Sequence, residues 1–296
     1  MSSALKLATT SLFVGALVLG LKMLAWWLTG SVALLSDALE SIVNLATALA
    51  ALIAIRVAAR PADDTHPFGH HKAEFFSATL EGLLIVLAAL LILREAFYGF
   101  LAPHALTTPL KGLLVNGGAT VLNGVWAWVL IRQGRRLKSP ALVADGQHLW
   151  TDVLTSFGVA IGLILTVLTG WWALDPLMAS LVALHILWTG GKIVLSSLSS
   201  LMDEAVPDET LALIRTVIAA ESQGAVEAHD LKTRHAGRAT FVEFHLVVPG
   251  EMNVFDAHEI CDRLEAALHK AVPGAQVTIH LEPDHKSEET GIILPD

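Results

Sequence analysis

Apolar residues in the first two thirds of the chain form six long windows separated by short polar connections. Each window has about 20 or more residues, which is enough for a helix to cross the hydrocarbon core of a bilayer. The pattern therefore predicts an α-helical membrane protein with six transmembrane helices. The windows are Leu7–Leu28, Val32–Ile55, Phe75–Phe100, Gly112–Ile131, Ala141–Leu168 and Leu174–Leu198.

Beyond Met202 the pattern becomes that of a small water-exposed domain, with two amphipathic stretches and three strand-like ones. The predicted elements are the helices Leu211–Ala220 and Val254–Val272 and the strands Val226–Arg234, Thr240–Val248 and Gln276–Glu282. The order α-β-β-α-β indicates an α+β fold. We expect a membrane domain over residues 1–204, an α+β domain over 205–285 and a flexible tail over 286–296.

Composition agrees with this division. Hydrophobic residues make up 54% of the 296, and the mean hydropathy of +0.60 is too high for an ordinary soluble protein. Residues 1–204 have no net charge, whereas residues 205–296 carry a net charge of −9. That acidity argues against nucleic-acid binding. The single cysteine, Cys261, excludes an internal disulfide and a thiolate metal cage.

Positive charges in the connections predict the orientation. The connections after the second and fourth windows are rich in Lys and Arg, whereas those after the first and fifth contain neither. By the positive-inside rule the basic connections are cytoplasmic. Six spans then place both termini, and the acidic domain, in the cytoplasm.

Polar residues inside two of the windows are the strongest functional signal. Asp37, Glu40 and Asn44 are three and four residues apart, and His148 and Asp152 are four apart, so each set lies on one helix face. A carboxylate at membrane depth costs about 2.5–3.5 kcal/mol, which favours a functional reason for it. Two such faces turned together would form a nitrogen and oxygen cage for Zn²⁺, Fe²⁺, Mn²⁺ or Co²⁺. The alternative is a set of hydrogen bonds between packed helices.

Two acidic positions in these windows have open interpretations. Asp37 could be a further ligand, an acceptor for a ligand, or a proton carrier. Glu81, in the third window, faces either the interior of the helix bundle or a water-filled cavity.

A cytoplasmic loop and the α+β domain offer further ligands. Asp63, His66 and His70 are spaced three and four apart, as for ligands in one turn, although a solvated polar loop is the alternative. In the domain, polar ligands lie at the edges of successive elements, and His280 and Glu282 share one strand face. We interpret this second set as a metal cluster: His229, His245, His258, His280 and Glu282.

Together these segments resemble the cation diffusion facilitator family, and in particular its bacterial ferrous-iron and zinc efflux members. The similarity runs in order along nearly the whole chain. The segments that carry it are Gly30–Asn44, Pro61–Glu74, Asp145–Asp152, Ala228–Leu231 and Ile279–His280.

The resemblance implies a homodimer of six-helix protomers, each with a metallochaperone-like cytoplasmic domain. It implies a transport site at Glu40, Asn44, His148 and Asp152, a loop site at Asp63, His66 and His70, and a two-metal site at His229, His245, His258, His280 and Glu282, with Glu282 bridging. It also pairs Lys72 with Asp203 at the dimer interface. Family members more often have His or Asp at position 40, Asp at position 44 and Asp at position 282.

These observations lead us to expect a divalent metal/proton antiporter that exports Zn²⁺, Fe²⁺ or a similar metal across the bacterial inner membrane. The metal would be both substrate and ligand of the cytoplasmic domain, with no prosthetic group. A membrane metalloenzyme and a passive channel or sensor are the alternatives, although no His-Glu-x-x-His motif is present.

Overall fold

The computed structural model describes residues 3–29, 32–101, 110–171, 173–287 and 292–293. Within the helices, the description excludes the side chains at positions 25–26, 28–29, 32–40, 43, 95, 110–116, 159–160, 162–167 and 175. The chain forms two units, residues 1–198 and 199–296.

Six long helices make up the first unit, and each predicted window lies within one of them. They are α1 (Ser3–Thr29), α2 (Val32–Ala58), α3 (Ala73–Leu101), α4 (Leu110–Arg136), α5 (Pro140–Thr169) and α6 (Leu174–Leu201). A helix of this length extends about 40 Å, more than the hydrocarbon thickness of a bilayer. Among the described residues, Ser3–Leu24, Ala73–Leu101 and Pro176–Leu201 are both long and apolar enough to span a membrane. The predicted fold class is confirmed.

Helix α5 lies unusually close to its neighbours. A Cβ atom at Gly146 would lie 2.8 Å from Cγ1 of Ile131 on α4, and one at Gly158 would lie 2.5 Å from Cγ2 of Val182 on α6. Small residues allow membrane helices to approach in this way, since packing rather than hydrophobicity holds them together in lipid. These contacts hold in place the helix that carries His148 and Asp152.

The second unit is an α+β domain with the predicted order of elements. It contains α7 (Asp208–Glu221), β1 (Glu227–Ala236), β2 (Ala239–Val248), α8 (Val254–Ala271), β3 (Ala275–Pro283), a 3-10 turn (Asp284–Lys286) and β4 (Ile292–Ile293). The strand order is β3-β2-β1-β4, with β1 antiparallel to β2 and β2 parallel to β3. The short strand β4 pairs with the start of β1, which the sequence pattern did not predict.

Alternation along β2 separates an apolar face of the sheet from a polar one. Val242, Phe244 and Leu246 are buried against the apolar stripes of α7 and α8. Cys261 lies in the α8 stripe, where burial raises the pKa of its thiol, so it remains a core residue rather than a thiolate ligand. His245, between these positions, points to the opposite face. The sheet therefore presents a second face on which ligands from three strands can meet.

Candidate metal centres

Helices α2 and α5 bring Asn44, His148 and Asp152 together, and we call this group the α2–α5 site. The Nε2 atom of His148 lies 2.8 Å from the Oδ1 atom of Asn44, and the Nδ2 group of Asn44 donates a hydrogen bond to Asp152. The three residues are between 4% and 8% exposed. Two helices thus supply an imidazole, an amide and a carboxylate to one buried point.

The hydrogen bonds of the α2–α5 site assign a proton to His148. Because the Asn44 amide nitrogen faces Asp152, its oxygen faces His148, and Nε2 must be the donor in that bond. A metal that bound through Nε2 would have to displace this proton. The site is therefore arranged so that a cation and a proton compete for one nitrogen.

The other predicted members of this set cannot be placed. The side chains of Glu40 and Asp37 on α2 lie outside the described residues. Glu40 is four residues before Asn44, so the helix carries the two on the same face. Glu40 stays a predicted ligand, and Asp37 stays open among a further ligand, an acceptor for a ligand and a proton carrier.

The connection between α2 and α3 folds around Asp63. The Oδ1 atom of Asp63 accepts hydrogen bonds from the Thr65 hydroxyl at 2.8 Å and from the His66 backbone N–H at 2.7 Å. Its Oδ2 atom lies 3.5 Å from Nε2 of His70, and the His66 and His70 rings are 4.3 Å apart. Gly69, with φ of +81°, supplies the left-handed turn between the two histidines. We call Asp63, His66 and His70 the loop cluster.

The same hydrogen bonds fix the charge of the loop cluster. The Thr65 hydroxyl and the His66 backbone N–H lower the pKa of Asp63 to about 2. Its carboxylate therefore stays ionised throughout the physiological pH range and is ready to bind a cation without first losing a proton.

On the polar face of the sheet, three histidines form a row across three strands. The strand register aligns His229 of β1 with His245 of β2, and His245 with His280 of β3. Neighbouring rings are 5.2 Å and 4.8 Å apart. Side-chain exposure increases along this histidine row, from 4% at His229 through 34% at His245 to 65% at His280.

Glu282 lies beside the histidine row and faces it with both oxygens. Its Oε2 atom is 3.3 Å from Nε2 of His229, and its Oε1 atom is 3.6 Å from Nδ1 of His245 and 3.6 Å from Nε2 of His280. Ligand atoms of His229, His245 and Glu282 all lie within 4.8 Å of one another. One carboxylate thus lies near both ends of the row, which is the position expected of a residue that bridges two cations.

Two acidic residues of β1 join this cluster without having been predicted. The Oε1 atom of Glu227 lies 3.2 Å from Nδ1 of His229, and the Oδ2 atom of Asp230 lies 3.7 Å from Nε2 of His245. Asp230 lies at a register shift in β1 and has a φ of +50°. A hydrogen bond from Lys232 lowers the pKa of Asp230. The signal in the sequence was the His-Asp pair at 229–230, but a regular strand would have pointed Asp230 to the opposite face.

Two predicted assignments are not supported by the geometry of one protomer. His258 on α8 is 70% exposed and lies 3.9 Å from Asp262, on a helix that packs against the other face of the sheet. The structure does not bring it to the histidine row. Asp203 forms an ion pair of 3.2 Å with Arg234. Its pairing with Lys72 stays a prediction.

Comparison with known proteins identifies the chain. The "Cation efflux transmembrane domain" family matches residues 8–202, and the "Cation efflux protein, cytoplasmic domain" family matches residues 206–284. The chain belongs to the cation efflux family. The family resemblance inferred from the motifs is thereby confirmed, and the α+β unit is the cytoplasmic domain of a cation efflux protein.

Individual relatives of this cation efflux protein cover most of its length. An uncharacterized transporter of Synechocystis is 46% identical over 276 residues, which are 93% of this chain and 89% of the relative. The cation-efflux pump FieF of Escherichia coli is 32% identical over 274 residues, or 91% of this chain and 89% of FieF. Membership in a family of membrane transporters favours transport over enzymatic activity.

Among solved structures, this cation efflux protein is similar to two shorter chains. A zinc-form structure of CzrB, described as a candidate zinc transporter, is 49% identical and covers 29% of this chain and 99% of that chain, with a TM-score of 0.28. The metal-bound C-terminal domain of the CzcD transporter from Thermotoga maritima is 28% identical and covers 27% of this chain and 93% of that chain, with a TM-score of 0.25.

Proposed function

We propose that this protein exports a divalent transition metal, such as Zn²⁺ or Fe²⁺, in exchange for protons. The observation that carries the proposal is the convergence of Asn44, His148 and Asp152 inside the helix bundle. A buried imidazole and a buried carboxylate on one helix face, joined by an amide from another helix, suit a dication with mixed nitrogen and oxygen preference. Glu40 would complete the donor set from α2.

Proton exchange follows from the chemistry of these donors. Imidazole binds a metal only through an unprotonated nitrogen, and His148 Nε2 carries a proton in its bond to Asn44. In our proposal His148 is doubly protonated in the empty site, so metal binding through Nε2 releases a proton, and protonation from the other side of the membrane would eject the metal. The exchange needs no further cofactor, and the direction of net transport follows the two gradients.

The predicted direction is export. FieF, which is 32% identical, is named a cation-efflux pump. The positive-inside rule, applied to the basic connections, supports a cytoplasmic location for the loop cluster and for the α+β domain. Metal ligands concentrated on that side would collect the ion before it reaches the α2–α5 site. Both termini would then also be cytoplasmic.

The cytoplasmic domain would bind two metal ions across the histidine row, with Glu282 as the bridging ligand. The distances of 3.3 Å and 3.6 Å from its two oxygens to His229, His245 and His280 support this arrangement. Two dications would neutralise part of the negative charge of the domain, which would otherwise oppose association of two copies. We therefore propose that metal binding here stabilises a homodimer.

Transport in proteoliposomes tests the proposal. We expect metal entry into vesicles that contain the purified protein to be accompanied by proton movement, measured with a pH-sensitive dye. Asp152→Ala should abolish both fluxes because the site loses its described carboxylate. Gln147→Ala, on the same helix, is the matched control and should retain them.

Two results would contradict this assignment. Full transport by the Asp152→Ala protein would exclude the α2–α5 site as the route of the metal. Metal flux by the wild-type protein without proton movement would indicate a passive channel instead of an exchanger.

A further inference from the structure

Besides Asp152, three carboxyl groups among the described residues are buried in the membrane unit. Glu74, near the start of α3, accepts a hydrogen bond from Ser139, and the other two are Glu81 on α3 and Asp145 on α5. Glu81 is 0% exposed and Asp145 is 1% exposed. The two helices pack together in this region through Ala78 and Ala144, which belong to one apolar cluster. Asp145 directly follows Ala144, and Glu81 is about one helical turn after Ala78, so both carboxyls lie beside this cluster. We call Glu81 and Asp145 the carboxyl pair.

Each member of the carboxyl pair has one oxygen that is satisfied by a serine. The Ser11 hydroxyl donates to Oδ2 of Asp145 at 2.7 Å, and the Ser77 hydroxyl donates to Oε1 of Glu81 at 3.1 Å. The indole N–H of Trp126 donates to the Ser11 oxygen at 3.1 Å, which leaves the hydroxyl proton for Asp145. These groups orient the carboxyls within the bundle.

The second oxygen of each carboxyl, Oε2 of Glu81 and Oδ1 of Asp145, is buried and has no hydrogen-bond partner among the described residues. The Oδ1 atom of Asn123, which lies three residues before Trp126 on α4, has none there either and is 2% exposed. Buried polar atoms are normally paired, so unpaired oxygens from three helices indicate a ligand that the side chains do not supply.

The ligand must also reduce the negative charge. No ion pair between described residues includes Glu81 or Asp145, and an ionised carboxylate is strongly disfavoured in a low-dielectric interior without a compensating charge. A proton removes one charge and converts an unpaired acceptor into a donor. The surrounding hydroxyl and indole groups are donors to oxygen, which suits an anionic or half-protonated pair.

We infer that Glu81 and Asp145 share a proton inside the helix bundle and exchange it during the transport cycle. This inference rests on the proposed exchange of metal for protons. Asp145 is three residues before His148 and seven before Asp152, so all three lie on one face of α5. A dication at the α2–α5 site would then be about 5–10 Å along the helix from the pair.

The coupling follows from that proximity. When a dication binds at the α2–α5 site, its positive charge favours the ionised form of the carboxyl pair. The carboxyl O–H bond breaks, the electron pair remains on the carboxylate, and the proton leaves to water. When the metal departs, a proton from water restores the acid.

The other buried charged or titratable groups among the described residues of the membrane unit are Lys22 on α1, Glu74 on α3, and His148 and Asp152 on α5. From α1 Asp145 faces Ser11, whose oxygen accepts from Trp126 of α4, and neither of these side chains titrates in the physiological range. The titratable groups in the adjoining part of α6, His185 and Lys192, are both exposed. Among these groups, His148 and Asp152 share a face of α5 with Asp145, so we expect the pH response of the pair to depend on its burial and on the occupancy of the α2–α5 site.

Infrared spectroscopy of the purified full-length protein tests the inference directly. At neutral pH we expect a carbonyl band of a protonated carboxylic acid that shifts in D₂O and weakens when Zn²⁺ is added. The double variant E81Q/D145N should lack this band and should release one proton fewer for each metal bound. E74Q changes another buried carboxyl on α3, one hydrogen-bonded by Ser139, and should keep both properties.

The outcomes separate this inference from the proposed function. Because the metal-dependent band is measured on the wild-type protein, the test remains decisive even if the double variant does not fold. A wild-type protein with proton-coupled transport but without the band would overturn the inference alone. Loss of one bound Zn²⁺ for each chain in E81Q/D145N would also overturn it, since the pair would then bind metal. Transport without proton movement would overturn the proposed function and, with it, the exchange step of the inference, whereas a band that persists would still show a proton held by a buried carboxyl.

Discussion

The α2–α5 site and the histidine row use the same ligand chemistry in opposite surroundings. The first combines one imidazole with an amide and a carboxylate, all at most 8% exposed. The second combines three imidazoles with a carboxylate on the face of a sheet, and its outer end is open to solvent. In the proposed function, protonation and metal binding would exclude each other at the first site, because both use the same buried donor atoms. Exposure would let the second site bind metal according to its concentration in the surrounding solution.

The largest effect expected from this comparison is that of His148→Ala. Removal of the only described imidazole at the α2–α5 site should reduce metal transport to the level of empty vesicles. The total metal bound to the full-length protein, measured by equilibrium dialysis, should fall only by the ion at the α2–α5 site. The cytoplasmic domain should keep its bound metal. Loss of all bound metal would contradict the independence of the two sites. His269→Ala, which changes an exposed histidine of α8, is the matched control.

Glu282→Gln should have the next largest effect, and on the other site. A glutamine side chain has one neutral oxygen and cannot bridge two cations as a carboxylate can. We therefore expect the affinity of the histidine row for metal to fall by roughly 10–100-fold. Isothermal titration of the full-length protein measures this change, with Glu243→Gln on β2 as a control. An unchanged binding stoichiometry and affinity would exclude Glu282 as a bridge.

A substitution at Asn44 tests how the buried amide affects metal affinity. Asn44→Asp adds a carboxylate that can no longer donate to Asp152, so the site should favour a dication more strongly. We expect metal to be retained roughly tenfold more tightly, which corresponds to about 1.4 kcal/mol. Transport rates measured over a metal panel should then fall at the release step. Equal affinity in both proteins would show that the amide orientation has no effect on binding.

Asp230→Asn should have a smaller effect, because this carboxylate is exposed and salt screens it. Its loss removes a charge 3.7 Å from His245, so we expect at most a fivefold loss of metal affinity at the histidine row. The deficit should shrink as ionic strength rises. A loss as large as that of Glu282→Gln would instead make Asp230 a direct ligand.

The smallest predicted effect is at the loop cluster, where Thr65→Ala removes the largest cause of the lowered pKa of Asp63. Since the folded pKa of about 2 lies below the ordinary 3.8, the contribution of the ionised carboxylate to the loop is present above pH 3.8 and is lost as the pH falls through about 2. In the variant, the pKa should rise toward 3.8. NMR titration of carboxylate carbons measures it, and a value that stays near 2 would show that the backbone N–H groups suffice.

The sequence predicted most of this fold because the first unit has long apolar runs and the second has strong hydrophobic periodicity. All six windows fall within helices, and alternation along Thr240–Val248 placed Phe244 in the core and His245 on the polar face. Hydrogen-bond pairing across strands is a long-range property, so the strand β4 was not predictable from two isoleucines near the end. The bulge that turns Asp230 toward His245 also depends on the partner strand.

The candidate sites divide in the same way. Ligands on one element, such as His148 and Asp152, could be grouped from spacing alone, and so could His280 and Glu282. The carboxyl pair could not, because Glu81 and Asp145 lie 64 positions apart and only helix packing brings them together. The sequence left Glu81 open between the bundle interior and a water-filled cavity, and its complete burial places it in the interior.

The increasing exposure along the histidine row has a kinetic consequence. An ion near His280 can trade ligands with glutathione, small peptides or water in the surrounding fluid, because little protein stands in the way. A metal ion bound near the buried His229 would dissociate only after the ion near His280 had left. The histidine row would then bind metal quickly when the metal concentration rises and release it slowly when the concentration falls. The domain would therefore stay partly loaded for some time after the concentration has dropped.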